Sequence, residues 1–217
     1  SVSHILQNRL HFTYFLHILT KKGFFMAIFN PNNLFTSILS QNTPTAVARI
    51  QGNADYSNLN GTVSFYNTPF GGVLVGAEVY SLPGSGFFGL HIHEFGDCSR
   101  NSGNMMPFPG VVQPRGNMWE MDSMQDRNIR PPMGMQAFPN TGNHYNPGNV
   151  PHPEHAGDLL PLLSNNGYAW MTFYTGRINI EDIIGRSVVV HSMRDDFTTQ
   201  PSGNSGDKIG CGVIERM

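Results

Sequence analysis

Two stretches decide the fold: Val73–Tyr80, which reads VLVGAEVY, and Phe87–His93, which reads FFGLHIH. Both are short, rich in Val, Ile and Phe, and bounded by Gly or Pro, which is how β-strands are punctuated. The same signature recurs outward in both directions. Upstream lie Ala46–Gln51 (AVARIQ) and Gly61–Tyr66 (GTVSFY). Downstream lie Gly167–Tyr174 (GYAWMTFY), Gly185–His191 (GRSVVVH) and Ile209–Ile214 (IGCGVI). This spacing predicts an all-β domain, an antiparallel sandwich or barrel. No stretch carries helical periodicity over several turns. Composition agrees, with 24 Gly and 15 Pro among 217 residues and only 13% charged side chains. A net charge of -2 gives no basic field for nucleic acid, and no internal repeat is visible.

Two regions depart from the strand rhythm. Residues 99–143 are rich in Pro, Gly, Asn and Met and lack strand signals, so 99–141 reads as a loop insertion. Residues 1–43 read as an N-terminal extension ahead of a domain at 44–217. Within the extension, Leu10–Leu19 (LHFTYFLHIL) is too short to span a membrane. Two histidines interrupt it and no small-residue cleavage site follows, which argues against a signal peptide. Met26 opens a fresh segment, MAIFNPNNLF, so residues 1–25 are expected to lie upstream of the natural start.

Six of the nine histidines lie in the strand-rich part of the chain. His91 and His93 are two apart on a strand and therefore point to one face, where both imidazoles can reach one metal. Alone, such a pair is a weak signal, and two exposed strand histidines are the better reading of it. The pattern H-x7-H-x2-H-x2-D places His144, His152, His155 and Asp158 in one loop. Three imidazoles and a carboxylate suit tetrahedral zinc. His191 ends the apolar run VVVH, where a lone histidine is more often part of a core. Cys98 and Cys211 permit one disulfide or two buried thiols.

Several of these motifs, in this order, resemble the copper/zinc superoxide dismutase family: GLHIHEFGD (89–97), GNHYNP (142–147), HPEHAGD (152–158), IIGRSVVVHSMRDD (183–196) and GNSGDKIGCGVI (203–214). The resemblance covers about residues 44–98 and 142–217. It implies an immunoglobulin-like Greek-key sandwich or barrel with long active-site loops. It also implies one copper and one zinc ion per subunit, and an antioxidant activity that converts superoxide to O2 and H2O2 by cycling copper between Cu(II) and Cu(I). Copper would sit on His91, His93, His144 and His191, and zinc on His144, His152, His155 and Asp158. His144 would bridge the two metals and supply a proton. Asp195 would link a copper histidine to a zinc histidine, and Cys98 and Cys211 would form the family's disulfide.

Some features depart from the family pattern. The zinc loop is shorter than usual between His152 and His155. Lys208 stands where the family has an Arg near the copper; it keeps the charge and loses the planar fork. Ser202 stands where a Thr usually narrows the channel mouth. The loop from Asp195 to Lys208 is short and holds Asp195, Asp196 and Asp207 with a single Lys, so electrostatic steering of superoxide is expected to be weak. Seven of eleven methionines fall between residues 105 and 135. Thioethers select Cu(I), which would suit copper collection, but adaptable packing is the favoured reading. The alternative function is a catalytically impaired metal-binding or copper-delivery domain; four copper histidines and the lack of a CxxC motif argue against it. Homodimers occur in the family, yet Glu215 and Arg216 are unsuited to the usual dimer contact. The copper source or chaperone cannot be read from the chain. The compartment expected is the cytoplasm, with secretion as the alternative.

Overall fold

The computed structural model describes residues 34–41, 43–99 and 137–217. Most of the methionine-rich insertion and the whole of residues 1–25 lie outside the described residues. The chain divides into two compact units, 1–40 and 41–217. Helix α1 spans Leu34–Gln41 (LFTSILSQ), one helical stretch that the sequence pattern did not predict.

Nine strands follow among the described residues: β1 Ala46–Gly52, β2 Asn60–Asn67, β3 Val73–Tyr80, β4 Gly86–Phe88, β5 Leu90–His93, β6 Leu162–Ser164, β7 Ala169–Thr175, β8 Ser187–His191 and β9 Lys208–Arg216. A four-residue helix, α2, spans Ile180–Ile183. Every strand pair is antiparallel. Seven strands form one curled sheet in the order β5-β8-β9-β1-β2-β3-β7, and β4 pairs with β6. The chain thus leaves β3, crosses to the far end of the sheet at β5, and returns to lie beside β3 as β7. Such crossing connections mark the Greek-key class of antiparallel folds.

Alternation in the sequence explains which face each strand buries. In β1, Ala46, Ala48 and Ile50 face the core while Arg49 and Gln51 face solvent. In β3, Val73, Val75, Ala77 and Val79 are buried and Tyr80 is exposed. Fully burying one such aliphatic side chain contributes roughly 1.5–3 kcal/mol. Strand β8 is buried throughout. Val188 and Val190 join the main core, whereas Val189 packs on Phe138 and the disulfide Cys98–Cys211. Burial on both faces is why VVV reads as a continuous apolar run without alternation.

The predicted strands at 46–51, 61–66, 73–80, 167–174, 185–191 and 209–214 all form, with small shifts at their ends. The single run 87–93 divides at Gly89 into β4 and β5. Strand β6 has only three residues beside Pro161 and carried no usable signal.

Candidate metal centre

The site is assembled on β5. This strand lies at the end of the sheet, where its free edge would otherwise expose unpaired backbone groups. Residues of the long loop close that edge instead. Glu94 N–H donates to Asn143 O (3.0 Å), Tyr145 N–H to Ile92 O (2.8 Å), and Ile92 N–H to Gly157 O (2.9 Å). These contacts set His144 opposite His93, and Asp158 opposite His91. Gly157 has to be glycine for this approach, because a Cβ there would lie 2.3 Å from Ile92 O. His191 arrives from the end of β8, where an extra residue, Ile209, shifts the pairing with β9. Such bulges re-aim the side chain beside them.

Two groups of side chains result. The first joins His91, His93, His144 and His191; the second joins His144, His152, His155 and Asp158. Within each group, one potential ligand atom from every residue lies within 4.8 Å of the others. His144 belongs to both. Its ring centroid is 3.9 Å from that of His91 on one side and 5.7 Å from that of His155 on the other.

The hydrogen bonds fix which nitrogen of each ring is available. Carboxylates and carbonyls only accept, so the ring nitrogen facing one must carry the proton. His91 Nε2–H donates to Asp195 Oδ2 at 2.8 Å, which leaves Nδ1. His93 Nδ1–H donates to Gly142 O at 2.9 Å, and His191 Nδ1–H to Gly206 O at 3.3 Å. The two freed Nε2 atoms lie 3.3 Å apart. His152 Nε2–H donates to Asp195 Oδ1 at 2.9 Å. One carboxylate, 1% exposed, therefore orients a ring of each group. His144 Nδ1 lies 2.7 Å from Asp158 Oδ1, while its Nε2 faces the other group. His91 Nδ1, His144 Nε2, His152 Nδ1 and His155 Nδ1 are buried without any hydrogen-bond partner. His152 Nδ1 does lie 3.0 Å from Asp158 Oδ2, but the pair lacks hydrogen-bond geometry. Four orphaned imidazole nitrogens aimed into two common points fit a pair of metal ions better than they fit a core.

Burial is also the main cause of the altered proton affinities. It holds His91 and His93 well below the ordinary imidazole value and pushes His191 down to about 3. Burial works against ionisation of Asp158, but the hydrogen bond to His144 and the surrounding imidazoles outweigh it and lower its pKa. Neutral imidazoles and an ionised carboxylate are the forms that bind metals.

Lys208 opens β9 opposite His191 and is 5% exposed. Its Nζ donates to Thr141 Oγ1 (2.8 Å), Gly142 O (3.2 Å) and, at the limit, Phe138 O (3.5 Å). Three donors thus meet three acceptors, and Gly142 O is shared with His93. Burial lowers the Lys208 pKa. Ser202 is half-buried in the turn after Asp195, where its carbonyl accepts a bond from Ser205 Oγ at 2.9 Å. The sequence reading missed Thr141, Gly142 and Gly206. Backbone carbonyls leave no signature in a sequence, and a lone Thr is too common to single out.

The curled antiparallel fold and two histidine groups sharing one ring define a metal-binding protein on a Greek-key scaffold. The chain belongs to the copper/zinc superoxide dismutase family, whose family model matches residues 59–214. It is 32% identical over 172 residues to the Cu-Zn superoxide dismutase of Deinococcus radiodurans, covering 73% of this chain and 79% of that protein. It is also 25% identical over 189 residues to the copper chaperone for superoxide dismutase of Sus scrofa, spanning 81% of this chain and about half (54%) of that protein. The solved structure of Cu/Zn superoxide dismutase from Brucella abortus shares the fold with a TM-score of 0.56 at 24% identity, over 78% of this chain and 99% of that one. Membership and the two histidine groups together support copper and zinc binding. Among the described residues, no helix is long and apolar enough to cross a membrane.

Proposed function

We propose that this protein is a superoxide dismutase, converting two superoxide anions and two protons to O2 and H2O2. In this reading one copper ion per subunit sits on His91, His93, His144 and His191, and one zinc ion on His144, His152, His155 and Asp158. The observation that carries it is His144, with one nitrogen turned to each group. Four imidazoles suit copper, and three imidazoles with a carboxylate suit zinc. Copper, when bound, supplies the one-electron chemistry that zinc lacks.

The chain's own residues supply the rest. His144 Nε2 faces the four-imidazole group and takes up and gives back a proton there. The other nitrogen of His144 lies 2.7 Å from Asp158 Oδ1, within the second group, and Asp195 keeps the His91 and His152 rings in the tautomers that leave Nδ1 free. Lys208 places a positive charge beside His93. With its three donors turned to the 138–142 segment, it attracts an anion through its field rather than by a hydrogen bond. An Arg would retain spare N–H groups after the same three contacts. Turnover slower than the family norm follows.

The test is metal analysis with a superoxide-consumption assay on purified protein. Protein loaded with both metals that leaves superoxide untouched would sink the dismutase reading. Such a result would favour a catalytically impaired or copper-delivery domain, for which the fully engaged Lys208 and the likeness to a copper chaperone speak. The assembly to test is a homodimer. At the end of β9, Glu215 is exposed and ion-pairs with Arg49, while Arg216 pairs with Glu181, an arrangement unsuited to an apolar contact. For location we propose the cytoplasm, with secretion as the alternative, for which the disulfide counts. Fractionation of the source cells decides between them.

A further inference from the structure

We infer that Gln200 is a positioning residue for the zinc-side group, acting through the backbone of His152; the inference rests on the metal-binding reading above. The three histidines of that group need their main chains held as well as their rings. His144 is fixed by bridging to His93 of β5, and His155 N–H by Asp158 Oδ2 at 3.0 Å. His152 has neither tie. Its backbone is gripped instead by one side chain from the other loop: His152 N–H donates to Gln200 Oε1 (3.0 Å), and Gln200 Nε2 donates to His152 O (2.7 Å). The amide orientation is unambiguous, since only its oxygen can face an N–H and only its NH2 can face a carbonyl.

The same loop grips the ring. Asp195 Oδ1 accepts from His152 Nε2 at 2.9 Å, and Gly203 lies against both. A Cβ at Gly203 would fall 2.0 Å from Asp195 Oδ1 and 2.7 Å from His152 Nε2, and its φ of +66° itself favours glycine. The segment from Asp195 to Gly203 therefore fixes three polar atoms of one residue and aims its Nδ1 at Asp158. Only two residues separate His152 from His155. A loop so short has little structure of its own with which to position a ligand, and the second loop supplies the missing constraint. Groups outside the ligand shell commonly set metal affinity in this way.

The experiment measures Zn(II) affinity by chelator competition and the visible spectrum of Co(II) substituted at the zinc-side group, in wild type, Gln200→Met and Thr199→Val. Gln200→Met keeps side-chain length and removes both bonds. Thr199→Val removes a neighbouring loop bond to Asp196 without touching His152. Gln200→Met is expected to lose about 10-fold or more in Zn(II) affinity and to shift the Co(II) bands, with copper affinity at His91, His93 and His191 changed far less. Thr199→Val should match wild type. Wild-type Zn(II) affinity in Gln200→Met, or equal losses in both variants, would overturn the inference. Should Gln200→Met fail to fold, Gln200→Glu, which keeps the acceptor for His152 N–H and loses the donor to His152 O, carries the same test. Absence of Zn(II) binding in wild type would overturn the inference together with the underlying reading, whereas loss confined to the variants leaves that reading intact.

Discussion

Replacing Asp195 with Ala removes the acceptor that His91 and His152 share. In the native protein its two oxygens take Nε2–H bonds at 2.8 and 2.9 Å, and the carboxylate is 1% exposed. Neither ring has access to water that could replace it, as both side chains are 0% exposed. A hydrogen bond to a buried charged group contributes about 1.5–3 kcal/mol. At 1.4 kcal/mol per tenfold, each metal group should lose roughly 10- to 100-fold in affinity, which agrees with the general effect of removing such partners. The assay is competition for Cu(II) and Zn(II) against chromophoric chelators, with circular dichroism to establish that the variant is folded. Folded Asp195→Ala that binds both metals within about threefold of wild type would refute the claim that this carboxylate sets both rings.

Lys208→Arg should raise superoxide turnover severalfold and Lys208→Met should lower it, both read in metal-loaded protein; an Arg variant no faster than wild type counts against the donor-exhaustion argument. Because the substrate loop is poor in basic residues, the wild-type rate should fall only gently as ionic strength rises past the point where exposed charges are screened, and a steep decline in a salt titration would contradict that. For the metal-free protein, burial depresses His91, His93 and His191, so the unfolded chain binds protons that the folded one does not. Stability should be fully present above about pH 6.5 and be lost as pH falls below it, down to about 3 for His191, by up to about 1.4 kcal/mol per pH unit for each ring. Urea unfolding of metal-free protein at several pH values checks this, a flat profile opposing it. Reducing Cys98–Cys211, which closes a chain separation of 113 residues, should cost about 2–5 kcal/mol, read as a lower unfolding midpoint in the presence of reductant.

The sequence by itself determined the fold class and the ligand types. Alternation in AVARIQ and VLVGAEVY specifies half-buried strands, because side chains on a strand alternate faces whatever the neighbours are. His91 and His93 were legible as a pair for the same reason, and the spaced loop histidines by their density. That these pieces meet was implied by the family resemblance and by no local pattern; the tertiary structure decided how they meet. His191 is far along the chain from His91, and its ring reaches the group through a register shift between β8 and β9 that no local pattern announces. The ring tautomers depend on Asp195 and on the carbonyls of Gly142 and Gly206, and a carbonyl is the same atom in every residue. Lys208 was legible as a charge, but the direction of its donors was set by how the 138–142 segment packs over it. The hold of Gln200 on His152 joins two loops through main-chain atoms, so it exists only once both loops are folded. Periodicity and residue chemistry act over a few neighbours and survive in the sequence, whereas the orientation of a ligand depends on contacts between segments that only folding brings together.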